Sequence, residues 1–86
     1  LAQLTLLYFA WVRERIGTGE ERIAQPAPGT TIAALLDSMS QESAGHEAAF
    51  ADRARLRAAL DQTFVPLKSE IGDARELALF PPVTGG

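Results

Sequence analysis

The residues best suited to chemistry stand together at the end of the chain, in the run Leu79-Phe80-Pro81-Pro82-Val83-Thr84-Gly85-Gly86. Pro81 and Pro82 each fix φ near the polyproline value, so the segment is predicted to leave its last element stiffly rather than fold back on it. Extended at ~3.3–3.6 Å per residue, the run from Phe80 to Gly86 reaches roughly 20 Å, enough to thread into another protein. Gly85 and Gly86 carry no side chains and can pass a narrow channel. The candidate reactive group is then the backbone carboxyl of Gly86, presented to a nucleotide or substrate held elsewhere. A bare Gly-Gly end says little, since at an average glycine usage of ~7% such a pair arises by chance about once in 200. The Phe-Pro-Pro-Val block ahead of it carries the information.

Little else in the chain competes. Its 86 residues suffice for one domain, and 47% hydrophobic with 22% charged residues is a globular balance. There is no cysteine, which excludes thiolate nucleophiles, disulfides and cysteine zinc sites. His46 is the one histidine, too few for a histidine metal centre or an imidazole relay. Eight Lys plus Arg against eleven Asp plus Glu give a net charge of -3, a poor basis for gripping nucleic acid. No apolar run approaches the ~20 residues of a membrane span, so a soluble, cytoplasmic protein is expected. His46 reads as a solvated residue at a helix start. Glu20-Glu21 and the pair Asp73 and Glu76 read as exposed turn charges, and Arg53, Arg55 and Arg57 as a solvated basic face.

These residues must be positioned by a small set of elements. Leu4 to Ala10 is rich in strand formers and apolar on both parities, which predicts a strand covered on both faces. Trp11 to Ile16 is compatible with a short helical turn closed by Gly17, and Glu20 to Ala24 with a strand pairing with the first as a hairpin. After Pro26-Ala27-Pro28-Gly29, Thr30 or Thr31 caps a helix whose apolar stripe is Ile32, Leu35, Leu36 and Met39. Gly45 to Leu60 reads either as helix throughout or as helix giving way to a strand at Leu56, Ala58 and Leu60. Asp61-Gln62-Thr63 is a turn, Phe64-Val65 a short strand stopped by Pro66, and Gly72-Asp73 a turn. Glu76 to Phe80 is the last strand, halted by Pro81. Strands, a helix and further strands give an α+β domain with one main helix packed across a mixed sheet, residues 1–80, and a flexible extended tail, residues 81–86.

The tail is similar to the C-terminal signature of the small subunits of molybdopterin synthase, ubiquitin-like sulfur carriers ending in Phe-Pro-Pro-Val-x-Gly-Gly. Tyr8-Phe9-Ala10-Trp11-Val12-Arg13-Glu14 resembles the family's Phe-Phe-Ala-x-Val-Arg-Glu at the end of the first strand. Leu56-Arg57-Ala58-Ala59-Leu60-Asp61-Gln62 resembles its Leu-x-Ala-Ala-Val-Asn-Gln, which favours a strand there. The resemblance spans nearly the whole chain and implies a β-grasp fold. Three positions depart from the pattern: Asp61 stands for the usual Asn, Ala74 for a common Gly, and Trp11 for a usually polar residue.

The resemblance implies that a ubiquitin-activating-type adenylyltransferase, using ATP and Mg, adenylates the carboxylate of Gly86. A sulfur donor enzyme then leaves a thiocarboxylate there. That group would donate sulfur to a cyclic pterin precursor bound by the large synthase subunit, forming the molybdopterin dithiolene, in a heterotetramer. This chain alone would bind no cofactor or metal and would not be catalytic alone. The residues matching the subunit contacts are Phe9, Arg13 and Phe80, with Pro81, Pro82, Val83 and Thr84 in the threaded tail. Strand alternation agrees in part. If Leu4, Leu6, Leu77 and Leu79 face the helix, Phe9 and Phe80 face away, as two exposed rings beside the tail. Two other readings stay open. One is a sulfur carrier for thiamine or another pathway, which shares Gly-Gly but usually lacks the Phe-Pro-Pro-Val lead-in. The other is a ubiquitin-like interaction module that docks through Phe9 and Phe80 without terminal chemistry.

Overall fold

The computed structural model, which describes residues 2–82, runs β1 (Gln3–Tyr8), α1 (Ala10–Ile16), β2 (Glu20–Ala24), α2 (Ile32–Ser40), α3 (Ala44–Phe50), a 3₁₀ turn (Arg53–Arg55), β3 (Arg57–Leu60), β4 (Thr63–Val65) and β5 (Glu76–Phe80). The strands form one sheet in the order β2-β1-β5-β3-β4. β1 and β5 pair in parallel, and the other neighbours are antiparallel. This is the mixed α+β sheet anticipated, with β1 and β5 side by side near its centre. No helix among the described residues is long and apolar enough to cross a membrane.

The core follows from two periodicities meeting face to face. Leu4, Leu6 and Tyr8 of β1 and Leu77 and Leu79 of β5 are buried, as period-2 alternation requires of one sheet face. α2 lays Ile32, Leu35, Leu36 and Met39 into the same core, a 3.6-period stripe whose full burial contributes about 1.5–3 kcal/mol per large side chain. The Thr31 hydroxyl caps that helix by accepting the Ala34 N–H at 3.1 Å. The sheet's other face is not covered as expected for β1, because every helix packs on one side. Thr5 and Leu7 remain half-exposed.

The segment left open between helix and strand divides into both. Ser43 starts α3 by accepting the His46 N–H at 3.0 Å. The 3₁₀ turn then closes with Leu56 already extended, and β3 begins at Arg57. α3 packs closely on α1 through Gly45. A Cβ there would meet the Arg15 carbonyl oxygen at 2.6 Å and the Ile16 Cα at 3.4 Å. The glycine is kept for the approach of two backbones, not for its freedom of φ.

That approach overturns the reading of His46, which is buried rather than solvated. Its Nε2 lies 2.7 Å from Glu21 Oε1, and its Nδ1 2.6 Å from Ser43 Oγ. Since an ionised carboxylate only accepts, Nε2 carries the proton of that bond. The Tyr8 hydroxyl donates to the same Glu21 oxygen at 2.7 Å. Glu21 is therefore no exposed turn charge either. On β2, half-buried, it ties the hairpin to α3, while Glu20 stays exposed beside Arg22. Glu76 likewise opens β5 half-buried, and only Asp73 of that pair sits exposed in a turn. Burial raises the Glu21 carboxyl, but the hydrogen bonds from His46 and Tyr8 outweigh it and hold its pKa below the ordinary value. Burial first, and then the bond to Glu21, push the Tyr8 hydroxyl up, so it stays neutral.

Two outcomes are expected. Gly45→Ala should destabilise the fold by about 1–2 kcal/mol in denaturant unfolding, since the backbone clash exceeds the helix-propensity gain of ~1 kcal/mol. Unchanged or raised stability would show that α1 and α3 separate at no cost. Glu21→Gln should cost about 1–2 kcal/mol at neutral pH. Because Glu21 holds its proton less tightly folded than unfolded, its contribution is full above the ordinary glutamate value of about 4.3 and is lost as pH falls through the lower folded value. The gap between wild type and variant should therefore close in acid. A gap independent of pH would contradict the assignment.

Candidate functional site

Parallel pairing brings the C-terminal ends of β1 and β5 to one edge of the molecule. Tyr8 opposes Leu79 in the register, and the Phe9 N–H donates to the Leu79 carbonyl at 3.2 Å. Phe9 then caps α1 in extended conformation, and Ala10, at φ 52°, turns the chain off the sheet. A left-handed φ is uncommon for alanine, and here it marks the corner from strand to helix. Phe9 is left 48% exposed at the point where the tail departs.

Phe80 does not match its expected exposure. It points away from the core, as alternation requires, but it is half-buried because the Phe64 ring lies against it, 5.4 Å between centroids at 44°. The second exposed ring is Phe64, at 73%, a residue the sequence reading passed over. Its strand has three residues, too few to show alternation. What orients it is the hairpin turn, where Asp61 and Gln62 both have positive φ, 47° and 70°, and which sets Ala59 opposite Phe64. Asp61 takes the left-handed conformation that asparagine would. Its Oδ1 also accepts the N–H groups of Arg75 and Glu76, both at 3.0 Å, and so anchors the start of β5. Phe64 and Phe80 line an open groove with Arg57, Ala58, Val65 and Pro66.

The remaining site residues are placed as follows. Arg13 is exposed on α1, its guanidine beside Gly19. Pro81 and Pro82 continue from β5, half-buried. Val83, Thr84, Gly85 and Gly86 lie outside the described residues. Of the basic run, Arg55 and Arg57 are exposed, whereas Arg53 is drawn inward. It bonds Asp37 Oδ1 at 2.9 Å and the Phe50 carbonyl, fastening the 3₁₀ turn to α2 and α3. No three His, Cys, Asp or Glu side chains among the described residues are grouped as metal ligands would be. The edge thus offers phenyl rings, guanidinium groups and a departing tail, the makings of a docking surface rather than of an acid-base centre.

Known proteins are similar to this chain over nearly its whole length. A relative from Escherichia coli (strain K12), the molybdopterin synthase sulfur carrier subunit, is 40% identical over 83 residues, covering 96% of this chain and 99% of that protein. Its counterpart in Haemophilus influenzae is 37% identical over 84 residues, with 96% and 99% coverage. Among solved structures, a putative molybdopterin converting factor, subunit 1, from Pyrococcus furiosus superposes with a TM-score of 0.73 at 25% identity, covering 96% of this chain and 100% of that one. The small archaeal modifier protein 1 of Haloferax volcanii has a TM-score of 0.74 at 24% identity over 96% of this chain and 100% of that one, a likeness of fold. The ThiS family model matches residues 6–86, and the chain belongs to the ThiS family.

Proposed function

We propose that this chain is the sulfur carrier subunit of a molybdopterin synthase, acting in molybdenum cofactor biosynthesis. The observation that carries the reading is the end-to-end similarity to carrier subunits of that name, over a chain that closes in Phe80-Pro81-Pro82-Val83-Thr84-Gly85-Gly86. The edge geometry supports it, because the tail departs beside Phe9, Phe64 and Phe80, where a receiving protein would meet apolar surface. The chain supplies the sulfur and is one part of the synthase; pterin binding and acid-base chemistry belong to the large subunit.

The chemistry rests on the backbone end of Gly86. A carboxylate is a poor electrophile, so an adenylyltransferase first converts it with ATP and Mg to an acyl-adenylate, releasing pyrophosphate. Sulfur at the level of hydrosulfide attacks the acyl carbon, AMP leaves, and a thiocarboxylate remains. That anion is a soft nucleophile at neutral pH. Carried on a tether into the large subunit, it meets the pterin precursor by proximity rather than by diffusion. With no cysteine in the chain, no internal thiol competes for the activated carbonyl. The assembly is a heterotetramer, with one carrier at each end of a large-subunit dimer, working in the cytoplasm.

Intact-mass measurement after incubation with the adenylyltransferase, Mg-ATP and sulfide should show exchange of one oxygen for sulfur in the wild type and none after deletion of Gly86. Exchange that persists in the deletion, or is absent from the wild type, would remove the carrier reading. The docking surface has its own check. Phe64→Ala should unfold like wild type, because the ring is largely exposed, yet bind the large subunit about 10- to 100-fold more weakly by calorimetry. Wild-type affinity in a folded variant would exclude this ring from the interface.

A further inference from the structure

The exposed cations are unevenly distributed. The protein is acidic overall, yet Arg13, Arg15, Arg55 and Arg57 all lie on α1, the 3₁₀ turn or the start of β3. The ion pairs among the described residues join Arg22 to Glu20, His46 to Glu21 and Arg53 to Asp37, so none of these four arginines has a carboxylate of a described residue within 4.0 Å. Two of them converge on one ring. The Arg15 guanidinium carbon is 4.5 Å from the centroid of the Trp11 ring and that of Arg55 is 5.9 Å from it. Two like charges therefore stand no farther apart than the sum of those distances, held by the π-face of a half-buried indole. Glu14, Glu47 and Asp52 sit on or beside the same elements, and none of them forms an ion pair with Arg15 or Arg55. Arg15 is further steadied by a bond of its Nη1 to the Ala48 carbonyl at 3.4 Å.

Such an exposed pair of guanidinium groups sets up a local positive potential that favours contact with something anionic. Its place in the fold says what. Trp11 is two residues past Phe9, whose N–H holds the Leu79 carbonyl, and Arg55 is two residues before Arg57, which opposes Phe80 in the register. The ring and its cations thus adjoin the tail exit, on the helix side of the same edge that carries the phenyl groups.

We propose that Trp11, Arg15 and Arg55 form a cation–π platform that docks an acidic strip bordering the channel through which the large synthase subunit receives the tail. The inference rests on the proposed function. It adds a second, electrostatic half to the interface: the apolar rings supply desolvated contact, and the platform steers the encounter and orients the tail. Trp11 supplies the ring over which both guanidinium groups lie.

Stopped-flow association with the isolated large subunit, at low and at physiological salt, tests the platform. The double variant Arg15→Gln/Arg55→Gln should associate about tenfold more slowly at low salt, with a flatter salt dependence, and should keep wild-type thermal stability and sulfur loading of Gly86. Arg75→Gln, an exposed arginine beyond the opposite end of β5, should associate like wild type. Trp11 is the one tryptophan, so a fluorotryptophan-labelled chain should show its single fluorine resonance shifting as unlabelled large subunit is added. Wild-type kinetics in the double variant, or an equal loss in Arg75→Gln, would overturn the proposal and leave the carrier function standing. Failure of the wild type to bind the large subunit at all would remove the synthase reading, and the platform with it.

Discussion

The parallel pairing of β1 with β5 is the constraint on which the working edge depends. Only when two strands run the same way do their C-terminal ends lie side by side. Here that places the corner into α1 next to the start of the tail, joined by the bond from the Phe9 N–H to the Leu79 carbonyl. A parallel pair cannot be closed by a tight turn and needs a long crossover. The connection from β1 to β5 in this chain contains α1, β2, α2, α3, the 3₁₀ turn, β3 and β4, and its helices cover one face of the sheet, burying Leu4, Leu6, Leu77 and Leu79. Covering one face leaves the other open, which is why Leu7, Phe64 and Phe80 are not enclosed by this chain.

Two small devices hold the crossover in register. Asp61, at a left-handed turn position, spends its carboxylate on the backbone N–H groups that open β5. Glu21 collects the Tyr8 hydroxyl and the His46 ring and so ties the β1–β2 hairpin to α3. Both are acidic residues used to satisfy donors rather than to catalyse. This fits the proposed function, in which the chemistry rests on a main-chain carboxyl and the side chains serve to present it.

The edge has two textures. On the sheet side it is aromatic and apolar, with Phe9 and the Phe64–Phe80 pair. On the helix side it is cationic, with two guanidinium groups over Trp11. Apolar contact rewards exclusion of water and sets how long a complex lasts, whereas charge acts at longer range and sets how often and in what orientation partners meet. In the proposed function, loading at one enzyme and unloading at another would benefit from keeping these two properties on separate residues.

Much was determined by sequence alone: the mixed sheet, the stripe of α2, the helix ended by Gly17, and the inward parity of Leu77 and Leu79 against the outward parity of Phe80. Those follow from periodicity and local turn chemistry, which act over a few residues. The end of β5 ahead of Pro81 was legible for the same reason. Tertiary structure decided the rest. Nothing near His46 in the chain announces that Glu21, 25 residues away, will bury it, and nothing near Gly45 announces the Arg15 carbonyl against it. Phe64 took its place beside Phe80 only once the Asp61–Gln62 turn fixed how β4 lies on β3. Exposure and partnership depend on which distant segments arrive at the same point, and that is set by how the crossover packs.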